Sequence, residues 1–166
     1  MDRIAIIGLQ GAGKSTFAHK LGIILHRKVT HLDKEYYLPH WKKRFTKAEW
    51  IAHQKQLIKE KQWIIDGNYK STIDIRIEAA DTIIFFDFPK LLCIYRAFKR
   101  ALNNNQPVGK VENTRETINS NFIATILSYN KKQIHQKLNY YKKYKRIIIL
   151  KNSKQAADLL MRWSNL

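Results

Sequence analysis

The stretch Gly8-Leu9-Gln10-Gly11-Ala12-Gly13-Lys14-Ser15 constrains the fold more than any other part of the chain. A glycine, four residues of any type and then Gly-Lys-Ser is the P-loop pattern. The apolar run Ile4-Ala5-Ile6-Ile7 ahead of it reads as a buried parallel strand, and Lys14 to Leu25 reads as a helix with Phe17, Ala18, Leu21 and Leu25 on one face. Glycines that accept positive φ let such a loop turn its backbone N–H groups inward around a phosphate, and the helix N-terminus adds partial positive charge. Gly8, Gly11, Ala12, Gly13, Lys14, Ser15 and Thr16 are therefore the candidate nucleotide contacts. Lys14 is expected to reach the β- and γ-phosphate oxygens and the Ser15 hydroxyl to coordinate Mg²⁺, which makes ATP and Mg²⁺ the expected cofactors. The plain alternative is a glycine-rich turn before an ordinary helix.

A chain of 166 residues is about one domain, large enough to bury most of its apolar surface without disulfides. Its one cysteine, Cys93, lies in an apolar run and excludes both a disulfide framework and a cysteine-based zinc site. Residues 1–25 start directly on a strand and no apolar run approaches ~18 residues, so the expectation is a soluble, cytoplasmic protein with no membrane partner. The charge is lopsided, with 31 Lys and Arg against 13 Asp and Glu, and no acid stands between Thr117 and Ala157. Such a basic carboxyl-terminal half attracts polyanions, nucleic acid among them, although a generic solvated surface has the same composition.

Further along, Lys28 to Leu32 reads as a second strand ending at Asp33, an acid at the ligand edge of a parallel sheet. Asp33 would orient or deprotonate a substrate hydroxyl, hold Mg²⁺ through water, or simply cap a helix. Tyr36 to Phe45 is aromatic and basic without periodicity, and reads as a loop over a pocket or as core packing. Thr46 and Glu49 form a capping box that starts a helix reaching about Lys61. Trp63-Ile64-Ile65-Asp66 is a third strand running into Gly67, and a helix from Thr72 to Ala80 carries Arg76, as an acceptor or phosphate contact or as a surface ion pair with Asp74 or Glu78.

Thr82 to Asp87 is a fourth strand closed by an acid, the Walker B shape, which would place the Asp87 carboxylate beside Ser15 on the metal. Pro89 starts a helix over Leu91 to Leu102 that carries Arg96 and Arg100. Asn103 to Lys110 is the most loop-like stretch and reads as a cover. A long helix from about Thr114 or Arg115 to Tyr141, a fifth strand Arg146 to Leu150, and a last helix Lys154 to Trp163 capped by Ser153 complete the pattern. Five strands alternating with helices give a three-layer α/β domain over 1–166, a parallel sheet covered on both faces.

Several of these residues together resemble the topology modulation (FlaR-type) proteins, relatives of adenylate kinase and shikimate kinase. They are Gly8 to Thr16, His31-Leu32-Asp33, Pro39 with Trp41, Trp63 to Tyr69, the spaced Thr72, Asp74 and Arg76, Ala79 to Phe85, and Asp87-Phe88-Pro89. The resemblance implies the P-loop nucleoside-kinase fold with strand order 2-3-1-4-5 and a short lid, here about 103–115. It implies that Asp33, Asp66, Gly67 and Arg76 line the acceptor site, that Arg96 and Arg100 reach the transferring phosphates, and that the turn holding Asn152 lies near the base. Arg115, the one arginine between Ala101 and Lys145, is the lid's candidate substrate contact. The lid departs from the family pattern in being rich in Asn and Gln where relatives carry arginines, which lysines do not replace well.

The function expected is a Mg²⁺-dependent kinase passing the ATP γ-phosphoryl group to a small nucleotide-like or hydroxylated acceptor, with Lys14, Asp33, Arg96 and Arg100 as the catalytic set. The alternative is a nucleotide-regulated, nucleic-acid-associated protein with little turnover. A GTPase fits less well, because Asn130-Lys131-Lys132-Gln133 lacks the aspartate that recognises guanine.

Overall fold

The computed structural model describes residues 1–102, 108–109, 111 and 118–165. The expected lid at 103–115 falls almost wholly outside the described residues, and Arg115 lies outside them. Strand β1 (Arg3–Gly8) runs through the P-loop into α1 (Lys14–Ile24), and β2 (Val29–His31) follows. A five-residue helix, α2 (Leu32–Tyr36), leads to a hairpin of β3 (Tyr37–Leu38) and β4 (Lys42–Lys43). The chain returns through α3 (Lys47–Leu57), β5 (Trp63–Asp66), α4 (Ile73–Ala79) and β6 (Thr82–Phe86). It continues as α5 (Lys90–Leu102), α6 (Ser120–Leu127), α7 (Lys131–Tyr141), β7 (Arg146–Leu150) and α8 (Ser153–Ser164).

Five strands form a parallel sheet in the order β2-β5-β1-β6-β7. The expected numerals 2-3-1-4-5 therefore become 2-5-1-6-7, because the hairpin, which has no counterpart in the sequence reading, takes the numbers three and four. Ile4, Ala5, Ile6 and Ile7 have no exposed surface. Successive strand side chains point to opposite faces, so both faces of β1 are covered, as a parallel sheet requires. Helix α1 packs on β1, β2 and β5 and against α8, while α4 packs on β1 and α3 on α4. Each fully buried isoleucine contributes roughly 1.5–3 kcal/mol to this core, and Cys93 joins it as a buried free thiol.

Several boundaries differ from expectation for local reasons. The second strand stops at His31, so Asp33 stands in the first turn of α2 rather than at a strand end. The capping box at Thr46 is present, its Oγ1 accepting from the Glu49 N–H at 3.3 Å, but α3 stops at Leu57, short of the expected Lys61. The expected long helix is two helices: Tyr129 turns into the core, and the Asn130 side chain caps α7 by accepting from the Gln133 N–H at 3.0 Å. Asn152, not Ser153, caps α8, its side chain accepting from the Gln155 N–H at 2.9 Å.

Candidate active site

The P-loop backbone explains its own glycines. Gly11 has φ 79°, and a Cβ there would collide with the Cys93 carbonyl oxygen on α5. Gly13 has φ 91° and caps α1 without a side chain, and nothing lies within 4 Å of where its Cβ would be. The first helical bond runs from the Phe17 N–H to the Gly13 carbonyl, which leaves the amides of Lys14, Ser15 and Thr16 without helical acceptors. Gly11→Ala is expected to cost about 2–3 kcal/mol in urea unfolding, through both the collision and the left-handed backbone, whereas Gly13→Ala should cost only about 1 kcal/mol from backbone strain.

Those amides open onto a cavity of about 680 Å³. One side is the P-loop, with Leu9, Gln10, Gly11, Gly13, Lys14, Ser15 and Thr16. Asp33 from α2, Tyr37 and Trp41 from the hairpin, and Asp66 to Lys70 from the end of β5 supply another. Arg100, Val108, Gly109, and a set on and around α6 that includes Asn119, Asn121, Phe122, Thr125 and Tyr129 complete it. Gly8 and Ala12 are buried behind the loop rather than on this wall.

Lys14 is buried, and its Nζ donates to the Leu9 carbonyl at 2.8 Å. Burial lowers its pKa, opposed by the carboxylates of Asp66 and Asp33 and assisted by Arg100. Asp66 lies opposite Ile6 in the β1–β5 pairing, beside the strand that leads into the P-loop. One oxygen, Oδ2, meets His31 Nδ1 at 3.0 Å; the other, Oδ1, is buried without a hydrogen-bond partner among the described residues. Asp33 accepts from the Tyr69 hydroxyl at 3.0 Å. Although it faces the open cavity, enclosure by the surrounding protein raises its pKa, and the nearby Asp66 charge raises it further.

Four of the expected site residues stand elsewhere. Asp87 is paired with α7: Lys131 Nζ lies 2.6 Å from Oδ1 and His135 Nε2 2.8 Å from Oδ2, off the cavity wall. Arg96 donates to Ser153 Oγ at 2.8 Å and sits over the Phe88 ring, and Asn152 is engaged as a helix cap; neither lines the cavity. Arg76 is neither a surface residue nor a cavity residue. It is wholly buried, donating to the Gly67 carbonyl at 3.1 Å, to the Thr72 carbonyl at 3.2 Å and to the Gln54 side chain. Burial brings its pKa down to about 10 against the pull of Asp66. Arg76 thus fixes the strand end that carries Asp66 to Lys70. Arg76→Met is expected to lower stability by about 2–4 kcal/mol in urea unfolding, with Arg76→Lys recovering only part, because one ammonium cannot span the same acceptors.

Sequence reasoning missed α6, His31 and the hairpin aromatics as wall residues. Asn119 capping α6 was a usable signal, since its side chain accepts from the Phe122 N–H at 2.9 Å. The basic half is also partly structural: Lys137 pairs with Asp74, and Lys145 donates to the carbonyls of Glu78 and Ala80, both at 2.7 Å.

The chain superposes on solved kinases along nearly its whole length. It matches a shikimate kinase from Acinetobacter baumannii in complex with shikimate at 18% identity and TM-score 0.59, over 98% of this chain and 90% of that one. A deoxyadenosine kinase from M. mycoides with bound dATP matches at 15% identity and TM-score 0.54, over 99% and 100%. An unliganded sugar kinase from Janibacter sp. matches at 13% identity and TM-score 0.54, over 99% and 95%. This is a P-loop kinase fold. At such identities the likeness is one of fold, and neither a protein-family model nor a curated protein matches the chain. No described helix is long and apolar enough to cross a membrane.

Proposed function

We propose that the protein is a Mg²⁺-dependent phosphotransferase that moves the terminal phosphoryl group of ATP to the hydroxyl of a small acceptor. The observation that carries this reading is the convergence on one cavity of the P-loop amides, Lys14, the half-satisfied Asp66 carboxylate and Asp33. The residues fit a bound metal and triphosphate. No group of three or more His, Cys, Asp or Glu side chains gathers as a metal cage among the described residues, and Mg²⁺ is commonly held by one or two carboxylates together with substrate phosphates.

In this reading the amides of Lys14 to Thr16 bind phosphate oxygens, and Lys14 exchanges the Leu9 carbonyl for them. Ser15 Oγ and Asp66 Oδ1 hold the metal, with Asp66 in the role first expected of Asp87. The metal supplies neutralisation of phosphate charge. Arg100 lies near enough to Lys14 to perturb it and serves the same phosphates. Asp33 orients the acceptor hydroxyl and takes its proton, and Tyr69 holds the Asp33 carboxylate in place. The resemblance of Trp63 to Pro89 to the topology modulation family supports the same assignment. Nothing in the described structure favours a nucleic-acid partner.

Asp33 gives a test with a worked sign. Its pKa in the fold lies above the unfolded value, so its contribution to stability is fully present below the unfolded value and is lost as pH rises through the folded one. Asp33→Asn removes a confined charge at pH 7 and should raise the melting temperature, while lowering phosphorylation by about 10²-fold or more. The wild-type activity should fall on its acid side at a pH above the ordinary carboxylate range. The reading as a whole is tested by ADP release from MgATP across nucleosides, nucleoside monophosphates and hydroxylated metabolites. Turnover that depends on an acceptor supports it; nucleotide binding with no acceptor effect across the panel overturns it.

A further inference from the structure

The cavity beyond the P-loop has a chemical character that the phosphotransferase reading does not require. Its aromatic side chains come from two separate parts of the fold: Tyr37, Trp41 and Tyr69 from the hairpin and the β5 end, Phe122 and Tyr129 from α6 and its C-terminal turn. Tyr37 and Trp41 meet edge to face with centroids 5.1 Å apart. Trp41 reaches the cavity from a three-residue turn in which it and His40 are both left-handed, with φ of 58° and 60°. That backbone is costly for side chains of this size, and strain of this kind gathers where a fold must place a group for function. Carboxamides of Asn68, Asn119 and Asn121 lie on the same walls.

The charges point the same way. Asp33 and Asp66 already raise one another's cost of ionisation, so an anionic acceptor would bring a third negative charge beside them. The guanidinium closest in sequence to this wall, Arg76, is buried on the Gly67 and Thr72 carbonyls and offers nothing to the cavity. Lys70 lies over the Tyr129 ring, 5.9 Å from its centroid. Arg100 stands on the Lys14 side, where the phosphates belong. Among the described residues, then, the acceptor end offers flat apolar rings, carboxamide hydrogen bonds and carboxylates.

We propose that the acceptor is an uncharged alcohol bearing a flat ring, the chemistry of a nucleoside, and not a nucleoside monophosphate or a carboxylated polyol. This rests on the phosphotransferase reading. The ring stacks against Trp41 and Tyr37, the carboxamides meet its polar edge, and the hydroxyl donates to Asp33. In the transfer, the acceptor oxygen bonds to the γ-phosphorus as the bond from that phosphorus to the β–γ bridging oxygen breaks. ADP leaves with that oxygen and its electron pair, and the hydroxyl proton passes to the Asp33 carboxylate.

The experiment uses the full chain with MgATP and matched acceptors: adenosine and thymidine, their 5′-monophosphates, shikimate and glucose. Phosphorylated product is followed by mass and ADP by coupled assay, with ATP binding measured separately by calorimetry. At least one nucleoside should exceed its own monophosphate, shikimate and glucose in kcat/KM by about 100-fold. Trp41→Ala should raise the nucleoside KM about tenfold or more with a smaller effect on kcat. Without any turnover, nucleosides should quench tryptophan fluorescence in the wild type but much less in Trp41→Phe, since the other three tryptophans, Trp50, Trp63 and Trp163, are buried. Equal or better use of a monophosphate, shikimate or glucose overturns the neutral-ring acceptor and leaves the kinase standing. ATP binding with no phosphorylated acceptor, or no ATP binding at all, overturns both.

Discussion

Lys14→Met is expected to lower turnover by on the order of 10³, about 4 kcal/mol of transition-state stabilisation, while leaving the fold at least as stable. The two effects separate because the lysine is placed against its own preference. Its ammonium is buried, burial lowers its pKa, and its hydrogen bond goes to the carbonyl of Leu9. A group whose charged form the fold disfavours is not there for stability. Methionine keeps the volume of the stem and removes the charge, so urea unfolding should show no loss and a small gain at neutral pH. Phosphoryl transfer, which depends on positioned positive charge rather than covalent help, should nearly vanish. A stability loss of several kcal/mol with turnover retained would mean that Lys14 is a structural residue.

Asp66→Asn and Asp87→Asn should separate cleanly although both residues close an apolar strand beside β1. Asp66 has a buried oxygen without a partner and a place on the cavity wall, so its amide variant should lose on the order of 10²-fold or more in MgATP-dependent turnover. ATP binding measured without Mg²⁺ should change much less, which separates a metal role from general damage around the buried Arg76. Asp87→Asn breaks the contacts to Lys131 and His135, partly exposed groups, and should cost about 1 kcal/mol of stability with turnover within about threefold. Thermal melts and Mg²⁺ titrations of the two variants side by side read both effects.

That pair also shows what the sequence could and could not say. An apolar run closed by an acid occurs twice, at Trp63 to Asp66 and at Thr82 to Asp87, and both strands flank β1 in the sheet. What separates them is a contact from His135, 48 residues away from Asp87, and periodicity carries no information about it. The P-loop, its flanking strand and helix, and the alternation of strands and helices were legible because each is a local pattern with its own chemistry. Arg76 was not, because its helix position says only which way it points from α4; Gln54 and Gly67, which enclose it, come from other elements. The hairpin was hidden for a different reason. Its turn places His40 and Trp41 in the left-handed region, where the familiar sequence signal would have been Asn-Gly. The break at Tyr129 carried a cap, Asn130, but no glycine or proline to mark it.

The most direct test of the account is calorimetric titration of ATP into the wild type, with and without Mg²⁺, and into Lys14→Met and Asp66→Asn. The account predicts saturable binding in the wild type that Mg²⁺ tightens, loss of binding in Lys14→Met, and loss of the Mg²⁺ effect alone in Asp66→Asn. Equal binding by all three proteins, or no binding by the wild type, would contradict a triphosphate and metal site at this P-loop.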